Sequence, residues 1–302
     1  MRMPHNIYVR IFGLAAAAVT IVTGLIFGGV YVASSAKLRV ATVDPIDFTV
    51  DVASDPEVIE HGRHIARTRG CFGCHGQQLE GKDFDTQWDW PKRAVAPNLA
   101  QYARDHDATV LEAAIRQGIG ANGRALTSMP SYNFTRLNDA DLSALIAFLR
   151  AAPVVEIALP KPALGWSARW DIAFGGERTM AAWADLVPPL THDPVAAPQL
   201  ARGEYLAMTM CNECHGLDVR GQTFYPPFTP DLAMVAAIDR AEFERIITTG
   251  IGMGERPLGL MQLVAPDRFP DLHDEEIDAL YAYLTSLAEE PVAENVVWRP
   301  ER

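Results

Sequence analysis

The chain contains Cys71-Phe72-Gly73-Cys74-His75, and the same pattern returns as Cys211-Asn212-Glu213-Cys214-His215. Both copies read C-x-x-C-H. Two cysteines three positions apart lie on one side of a helical turn, and the histidine that follows projects toward the same space. Each copy therefore brings two thiols and an imidazole together. No cysteine of the chain lies outside these two copies.

C-x-x-C-H is the attachment pattern of c-type haem, in which the thiols bond to the porphyrin and the imidazole becomes the proximal iron ligand. Zinc sites and redox-active pairs also use C-x-x-C. Paired zinc motifs usually lie about 15 to 20 residues apart, whereas these copies begin at residues 71 and 211. A redox pair needs a βαβ setting, and the flanking pattern here is helical. The motifs predict two covalent haems c, held by Cys71, Cys74, Cys211 and Cys214 with His75 and His215 on iron.

Composition indicates a folded, acidic protein. Of 302 residues, 49% are hydrophobic and 21% are charged, and 38 acidic residues outnumber 26 basic ones to give a formal net charge of −12. Phosphate binding needs clustered Lys and Arg, so the charge argues against a nucleic acid partner. It is compatible with docking onto a basic protein surface.

An uncharged stretch of 23 residues covers positions 11–33, with Arg10 before it and Lys37 after it. A membrane-spanning helix needs about 20 such residues, whereas the core of a cleaved signal has about 7 to 15. The length favours a retained anchor, with cleavage near Ser34-Ser35-Ala36 as the alternative. Because bacteria attach c-type haem on the periplasmic side, we expect a single-pass inner-membrane protein with its haem domains in the periplasm.

The patterns predict an all-α fold with two tandem haem domains behind an N-terminal transmembrane helix. Asp55-Pro56 marks the start of the first domain, with the acid as N-cap and proline in the first turn. The segment between the domains is rich in proline and tryptophan, so we interpret it as a packed strap. The predicted segments are 1–36 anchor or cleaved signal, 37–53 tether, 54–152 first domain, 153–197 strap, 198–288 second domain and 289–302 tail.

A repeat register selects one methionine in each copy. Helical segments that begin at Asp107 and Asp239 are each followed by Gly-Ile-Gly, at an offset of 132 residues. Carrying this offset forward places Met129 opposite Met261. The closing helices follow at an offset of 135, so three residues are inserted after Met261.

The sixth iron ligand determines whether a haem transfers electrons or binds a substrate. Histidine and methionine together close both axial positions and raise the reduction potential. Met129 precedes Pro130, which stiffens the ligand loop, and is the predicted ligand of the first haem. Met261 is predicted for the second haem, with Met253 and His273 as competitors.

Each copy also has an x-Pro-x-Leu element, with Pro97 in the first and Pro230 in the second. A ligating imidazole usually donates its other N–H to a carbonyl or carboxylate. The proline carbonyl is one suitable acceptor. The alternative is that these prolines only turn the chain.

With these motifs, each copy resembles the class I cytochrome c family over about 95 residues. The resemblance implies thioether bonds at the four cysteines, proximal ligation by His75 and His215, and distal ligation by Met129 and Met261. The second copy departs from the family pattern because no proline follows Met261.

As a whole the chain is similar to the membrane-anchored dihaem cytochromes c of Gram-negative bacteria. That similarity implies an electron carrier, without a catalytic residue of its own, among quinol-oxidising complexes, dehydrogenases and terminal oxidases. Two alternatives stay open. One is a haem enzyme with an open sixth site, of the peroxidase or thiosulfate dehydrogenase type. The other is a haem subunit bound tightly in a larger oxidoreductase.

Overall fold

The computed structural model describes residues 5–39, 55–84, 90–222 and 229–291. This part of the chain is mostly helical, and each of its β-strands has two residues. The predicted all-α architecture is confirmed. Most of the predicted tether, the end of the predicted tail and two loop segments lie outside the described residues.

The N-terminal helix α1 spans His5–Leu38. Its segment Tyr8–Leu38 is long and apolar enough to cross a membrane, and none of its most apolar window is buried against the rest of the protein. Among the described residues, only the C-terminal part of α1 packs on the rest of the protein, where Val30, Ser34 and Leu38 are buried.

The first repeat opens with the helix before the haem motif and closes with a helix that crosses it. Its helices are α2 (Pro56–Thr68), α3 (Cys71–His75), α4 (Leu99–Asp105), α5 (Ala108–Arg116) and α6 (Asp139–Ala151), with a 3₁₀ helix at Ser131–Phe134. Its strands are β1 (Lys82–Asp83), β2 (Lys92–Arg93) and β3 (Val95–Ala96), with β1 antiparallel to β3.

The connecting segment contains β4 (Ala163–Leu164), α7 (Trp166–Phe174) and α8 (Met180–Ala184). The second repeat then contains α9 (Pro198–Met210), α10 (Asn212–His215), α11 (Arg240–Thr249), α12 (Leu260–Arg268) and α13 (Asp274–Ser286). It also has the antiparallel pair β5 (Ile251–Gly252) and β6 (Arg256–Pro257), and 3₁₀ helices at Leu232–Ala237 and Met253–Glu255.

Side-chain caps set the starts of α2 and α6, and α2 starts where the sequence predicts it. The Asp55 carboxylate caps α2 by accepting the Glu57 N–H at 2.9 Å. Asn138 caps α6 by accepting the Asp141 N–H at 2.8 Å. Each bond satisfies a backbone donor that the helix itself leaves free.

Each repeat is built on one close helix crossing that only glycine permits. A Cβ on Gly62 of α2 would lie 2.0 Å from the Ala144 carbonyl oxygen of α6, and a Cβ on Gly203 of α9 would lie 2.0 Å from that of Ala279 on α13. Real carbon and oxygen atoms do not approach so closely. The glycine therefore sets the distance between the first and last helices of each repeat.

Two hydrophobic cores follow the two repeats. The first is built around Ile65, Leu142 and Ile146, and the second around Leu206, Leu280 and Leu284. They meet because Tyr132 of the first repeat belongs to the second core, while Tyr205 of the second repeat packs against both.

The segment between the repeats contacts both of them. Strand β4 pairs antiparallel with β2 of the first repeat. Near its far end, the backbone N–H of Thr191 donates to the Glu204 carboxylate of the second repeat at 2.8 Å. Between these points Trp183 is buried in the second core, with 1% of its surface exposed.

Candidate functional site

Each C-x-x-C-H motif lies on a short helix, α3 in the first copy and α10 in the second. In the first copy an extra residue precedes the motif, and Gly70 absorbs it in a left-handed conformation with φ of 79°. In the second copy α9 runs directly into Cys211. Burial raises the pKa of the Cys71 and Cys211 thiols to about 12. In the polypeptide alone these sulfurs are therefore protonated thiols.

A backbone carbonyl orients each imidazole. Nδ1 of His75 lies 2.8 Å from the Pro97 oxygen, and Nδ1 of His215 lies 3.0 Å from the Pro230 oxygen. Because a carbonyl only accepts, Nδ1 must carry the proton, which leaves the Nε2 lone pair for a metal. Burial also lowers the pKa of both histidines, although the carbonyl bond opposes it. Both rings are thus held in the neutral form that ligates iron.

The loop after each motif brings the proline to the histidine by the same bonds. The Gly81 N–H donates to the His75 carbonyl at 2.7 Å, and Gly221 donates to His215 at 2.7 Å. Next to these glycines, buried Leu79 and Val219 take positive φ angles of 61° and 57°. A non-glycine residue in this region is strained, most of all a β-branched one. Both copies keep the same strained turn beside the imidazole.

The two methionines that share the repeat register pack against different cores. Met129 is partly buried against the first core, and Met261 is partly buried against the second. The competitors for the second site lie elsewhere: 66% of Met253 is exposed, and His273 stacks on His64 of the first repeat.

Backbone hydrogen bonds before the two methionines show the same 132-residue offset as the sequence. The Leu126 N–H donates to the Gly118 carbonyl, and the Leu258 N–H donates to that of Gly250, again at an offset of 132 residues. Each leucine stands three residues before its methionine. After this point the copies differ, because Met261 lies on α12 whereas Met129 precedes the short 3₁₀ helix Ser131–Phe134.

The donor set fits covalent haem and does not fit zinc. Each motif offers two thiols and an oriented imidazole, and a thioether follows at the same register in each copy. Zinc needs four donors that converge on one point. Across the described ranges, the sulfur and nitrogen donors of either motif do not gather within 4.8 Å of one another. The four cysteines are also unbridged.

The two motifs lie near each other across the boundary between the repeats. Arg268 of α12 forms a 2.8 Å ion pair with Glu213 of the second motif. The same guanidinium packs against Gly70 before the first motif, where an added Cβ would lie 2.3 Å from it. The Asn212 side-chain amide donates to the Tyr132 carbonyl at 3.4 Å. Helix α12 therefore contacts the chain at both motifs.

His64, His273 and Glu276 form a second contact across the boundary between the repeats. Nε2 of His64 on α2 lies 2.9 Å from the Glu276 carboxylate on α13, and the His64 ring stacks on that of His273. The two rings lie within 3° of parallel with centroids 4.6 Å apart. Stacked parallel rings do not direct in-plane lone pairs at one ion, so the cluster is a clamp between repeats. The His64–Glu276 contact joins residues 212 positions apart, so no local pattern in the sequence predicts it.

His61 and His106 have protein partners as well. His61 pairs with Asp141 at 2.7 Å, and Nδ1 of His106 lies 2.9 Å from the Tyr102 carbonyl.

Comparison with known proteins gives one family and several dehydrogenase subunits. The sequence profile of the family described as Cytochrome c matches residues 59–153 and again residues 200–288. The cytochrome c subunit of the quinone alcohol dehydrogenase of Gluconobacter oxydans is 26% identical over 175 residues, which cover 54% of this chain and 36% of that protein. The corresponding subunit of Komagataeibacter europaeus is 25% identical over 176 residues, with the same coverage.

A nicotinate dehydrogenase subunit of Pseudomonas putida is 26% identical over 174 residues, covering 52% of this chain and 14% of that protein. The chain thus spans about a third of the length of the alcohol dehydrogenase subunits and less of the nicotinate one.

Proposed function

Because the chain belongs to the cytochrome c family and so carries covalent haem c, we propose that it is a membrane-anchored dihaem electron-transfer subunit working with a dehydrogenase. One observation supports the haem count of two above all. Both motifs have a buried or partly buried imidazole with Nδ1 bonded to a proline carbonyl, at 2.8 and 3.0 Å. A copy that had lost its haem would have no need to keep this bond.

Haem c supplies a one-electron iron centre when bound. Cys71 and Cys74 hold the first group covalently, as Cys211 and Cys214 hold the second. His75 and His215 present Nε2 to the iron, and the proline carbonyls fix the ring orientation and basicity. Met129 and Met261 would supply the second ligand of each iron. With both ligand positions taken by the protein, each site would exchange electrons without binding a substrate.

The exposed apolar surface of helix α1 supports its role as a membrane anchor. Its apolar stretch is exposed along its length, and water is a poor surrounding for such a surface. With covalent haem attached outside the inner membrane, both domains lie in the periplasm. The packing of Leu38 and Arg39 against the 119–125 loop of the first domain keeps that domain close to the anchor.

A dehydrogenase is the partner that the relatives favour over a terminal oxidase or a quinol-oxidising complex. Three of the relatives are named as cytochrome subunits of quinone alcohol dehydrogenases. An acidic chain with a net charge of −12 suits a basic docking face on such a partner. Their names equally support the second candidate, a haem subunit that stays bound in the dehydrogenase complex.

Carbon monoxide binding to the reduced full-length protein tests the proposal against the haem enzyme. Carbon monoxide binds ferrous haem only at an open or weakly held sixth position. We expect an unchanged visible spectrum under carbon monoxide and the far-red sulfur-to-iron band in the oxidised protein. A carbon monoxide complex at native pH would overturn the electron carrier in favour of an enzyme.

Extraction in mild detergent separates the two forms of electron-transfer protein. A free carrier elutes alone, whereas a bound subunit elutes with a dehydrogenase whose substrate reduces its haem. Elution with an oxidase and no dehydrogenase would contradict the proposed partner.

A further inference from the structure

Helix α7 carries an aromatic face that the haem chemistry does not use. Trp166, Trp170 and Phe174 follow one another at four-residue spacing, and their exposed fractions are 50%, 50% and 67%. The opposite face, with Ala168 and Ile172, is buried in the protein. A surface helix of a soluble domain normally turns a polar face outward. Here the outward face is aromatic.

The charged groups of α7 are turned away from that face. Nη1 of Arg169 donates to the Ser34 hydroxyl of α1 at 3.0 Å, and its guanidinium lies over the Tyr31 ring at 4.4 Å. The Asp171 carboxylate accepts from Nε1 of Trp90 at 2.8 Å. Both charges are therefore held by protein partners, and none lies among the exposed rings.

The aromatic face continues the apolar surface of α1. The Trp166 ring meets the Phe27 ring edge-on, with centroids 4.9 Å apart. Phe27 lies six residues before the end of the uncharged stretch 11–33, about 9 Å along the helix axis. That stretch spans about 34 Å against a hydrocarbon core of about 30 Å. With the core centred on this stretch, Phe27 and the Trp166 ring against it lie about 7 Å inside the hydrocarbon edge, within the roughly 5 to 10 Å to which interfacial helices bury their apolar faces.

We propose that α7 is an interfacial helix whose aromatic face enters the outer part of the lipid bilayer beside α1. The inference rests on the membrane anchor of the proposed function. It adds α7 to α1 as a second helix in contact with lipid, and we call this pair of helices the seat. Exposed Lys37 and Arg39 at the end of α1 supply positive charge for the headgroups. The seat also holds the loop before Met129 at the membrane surface, since the Ala125 N–H donates to the Leu38 carbonyl at 2.9 Å.

Spin labels on the full-length holoprotein in phosphatidylethanolamine–phosphatidylglycerol liposomes test this seat. The label is attached to Trp170→Cys or Phe174→Cys, the native cysteines being bonded to haem, and unsubstituted holoprotein gives the background. Collision with oxygen reports lipid, and collision with a water-soluble nickel chelate reports solvent. Val195→Cys is the matched control, because Val195 is 89% exposed and apolar but lies far along the chain from α7. Every variant must keep the haem absorption of the parent.

We expect oxygen collisions to exceed nickel collisions several-fold at positions 170 and 174, and the reverse at 195. Nickel access at 170 and 174 equal to that at 195 would overturn the inference. Labels shielded from both reagents would overturn it too, because a protein surface would then cover α7. Val19→Cys, in the middle of α1 and 66% exposed, reports the anchor separately. A lipid signal at 19 with solvent at 170 and 174 refutes the seat alone, whereas solvent at 19 refutes the anchor as well.

Discussion

Each copy has one histidine that is oriented by a proline carbonyl and one methionine at the shared 132-residue offset. The clearest difference between candidate ligands is burial: Met129 and Met261 pack against their cores, whereas Met253 is 66% exposed. The exposed Met253 side chain is not held in place by protein contacts. Because burial favours the packed thioethers over the exposed one, we propose that Met129 and Met261 are the ligands.

Met129→Ala removes the proposed sixth ligand of the first haem. We expect the reduced variant to bind carbon monoxide at one haem and the potential of that haem to fall, because thioether ligation raises the potential. Spectra and a redox titration measure both effects. Met253→Ala is the control and should change neither. If Met129→Ala behaved like this control, Met129 would not be the ligand.

Glu276 is the residue on which the clamp between the repeats depends. Only 4% of it is exposed, and it accepts from His64 and from the His273 backbone N–H. Burial by itself would raise the pKa of Glu276, but these bonds outweigh it and lower the pKa to about 2. Since the folded pKa lies below the ordinary carboxyl value, the ionised form stabilises the fold above pH about 4.5. This contribution is lost as the pH falls toward 2.

Glu276→Gln should lower the free energy of unfolding at neutral pH by about 2 kcal/mol, the usual worth of hydrogen bonds to a charged group. The variant should also lack the share of acid destabilisation that Glu276 contributes between pH about 4.5 and 2. Thermal unfolding across this range measures both. Exposed Glu275 lies beside it on α13, and Glu275→Gln should behave as the parent. Equal melting curves for the two variants would contradict the clamp.

Secondary-structure elements are arranged in each repeat around the glycine crossing of its first and last helices. Gly62 and Gly203 stand at different distances before their cysteines, yet each meets an alanine carbonyl at 2.0 Å from its virtual Cβ. The crossing is thus held constant, and Gly70 takes up the difference in length.

Gly62→Ala and Gly203→Ala should each destabilise the protein by about 1 to 3 kcal/mol, because the added methyl forces the paired helices apart. Chemical denaturation of the holoprotein measures this loss. Gly176→Ala is a suitable control, since its Cβ would meet the nearest atom at an ordinary 3.5 Å. Parent-like stability of Gly62→Ala would mean that the crossing is looser than described.

The sequence predicted the elements within each repeat far better than the contacts between repeats. The cap at Asp55 is a local feature, and the methionine register and the proline carbonyls recur in both copies, so the sequence displays all of them. The contacts of Arg268 with Gly70 and of His64 with Glu276 occur once, between distant residues that no periodic pattern connects. The position of α7 against α1 was hidden for the same reason, although its tryptophans were visible.

The described part of the molecule consists of helix α1, a first domain that packs against the C-terminal end of α1, and a second domain joined to the first through α12 and the His64–Glu276 contact. The packing of Arg268 against Gly70, with its ion pair to Glu213, holds the two motifs together in addition to the linker. With α1 as the proposed anchor, the contact of the first domain with the end of α1 would place that domain close to the bilayer.

Removal of residues 1–36 behind a cleavable export signal should convert the integral protein into one that an alkaline carbonate wash releases from membranes. Full-length protein should stay in the membrane pellet, because a spanning helix resists such a wash and an interfacial helix does not. Immunoblots of pellet and supernatant measure the difference. Retention of the truncated protein would show that the anchor lies partly outside α1.

The intact mass of the denatured, purified holoprotein tests the central claim of two covalent haem sites. Thioether bonds survive denaturation, so each attached haem adds its own mass to the chain. We predict that every molecule carries two haems, and that the Cys211→Ala, Cys214→Ala double variant carries one. A parent protein with a single haem, or with none, would contradict the account.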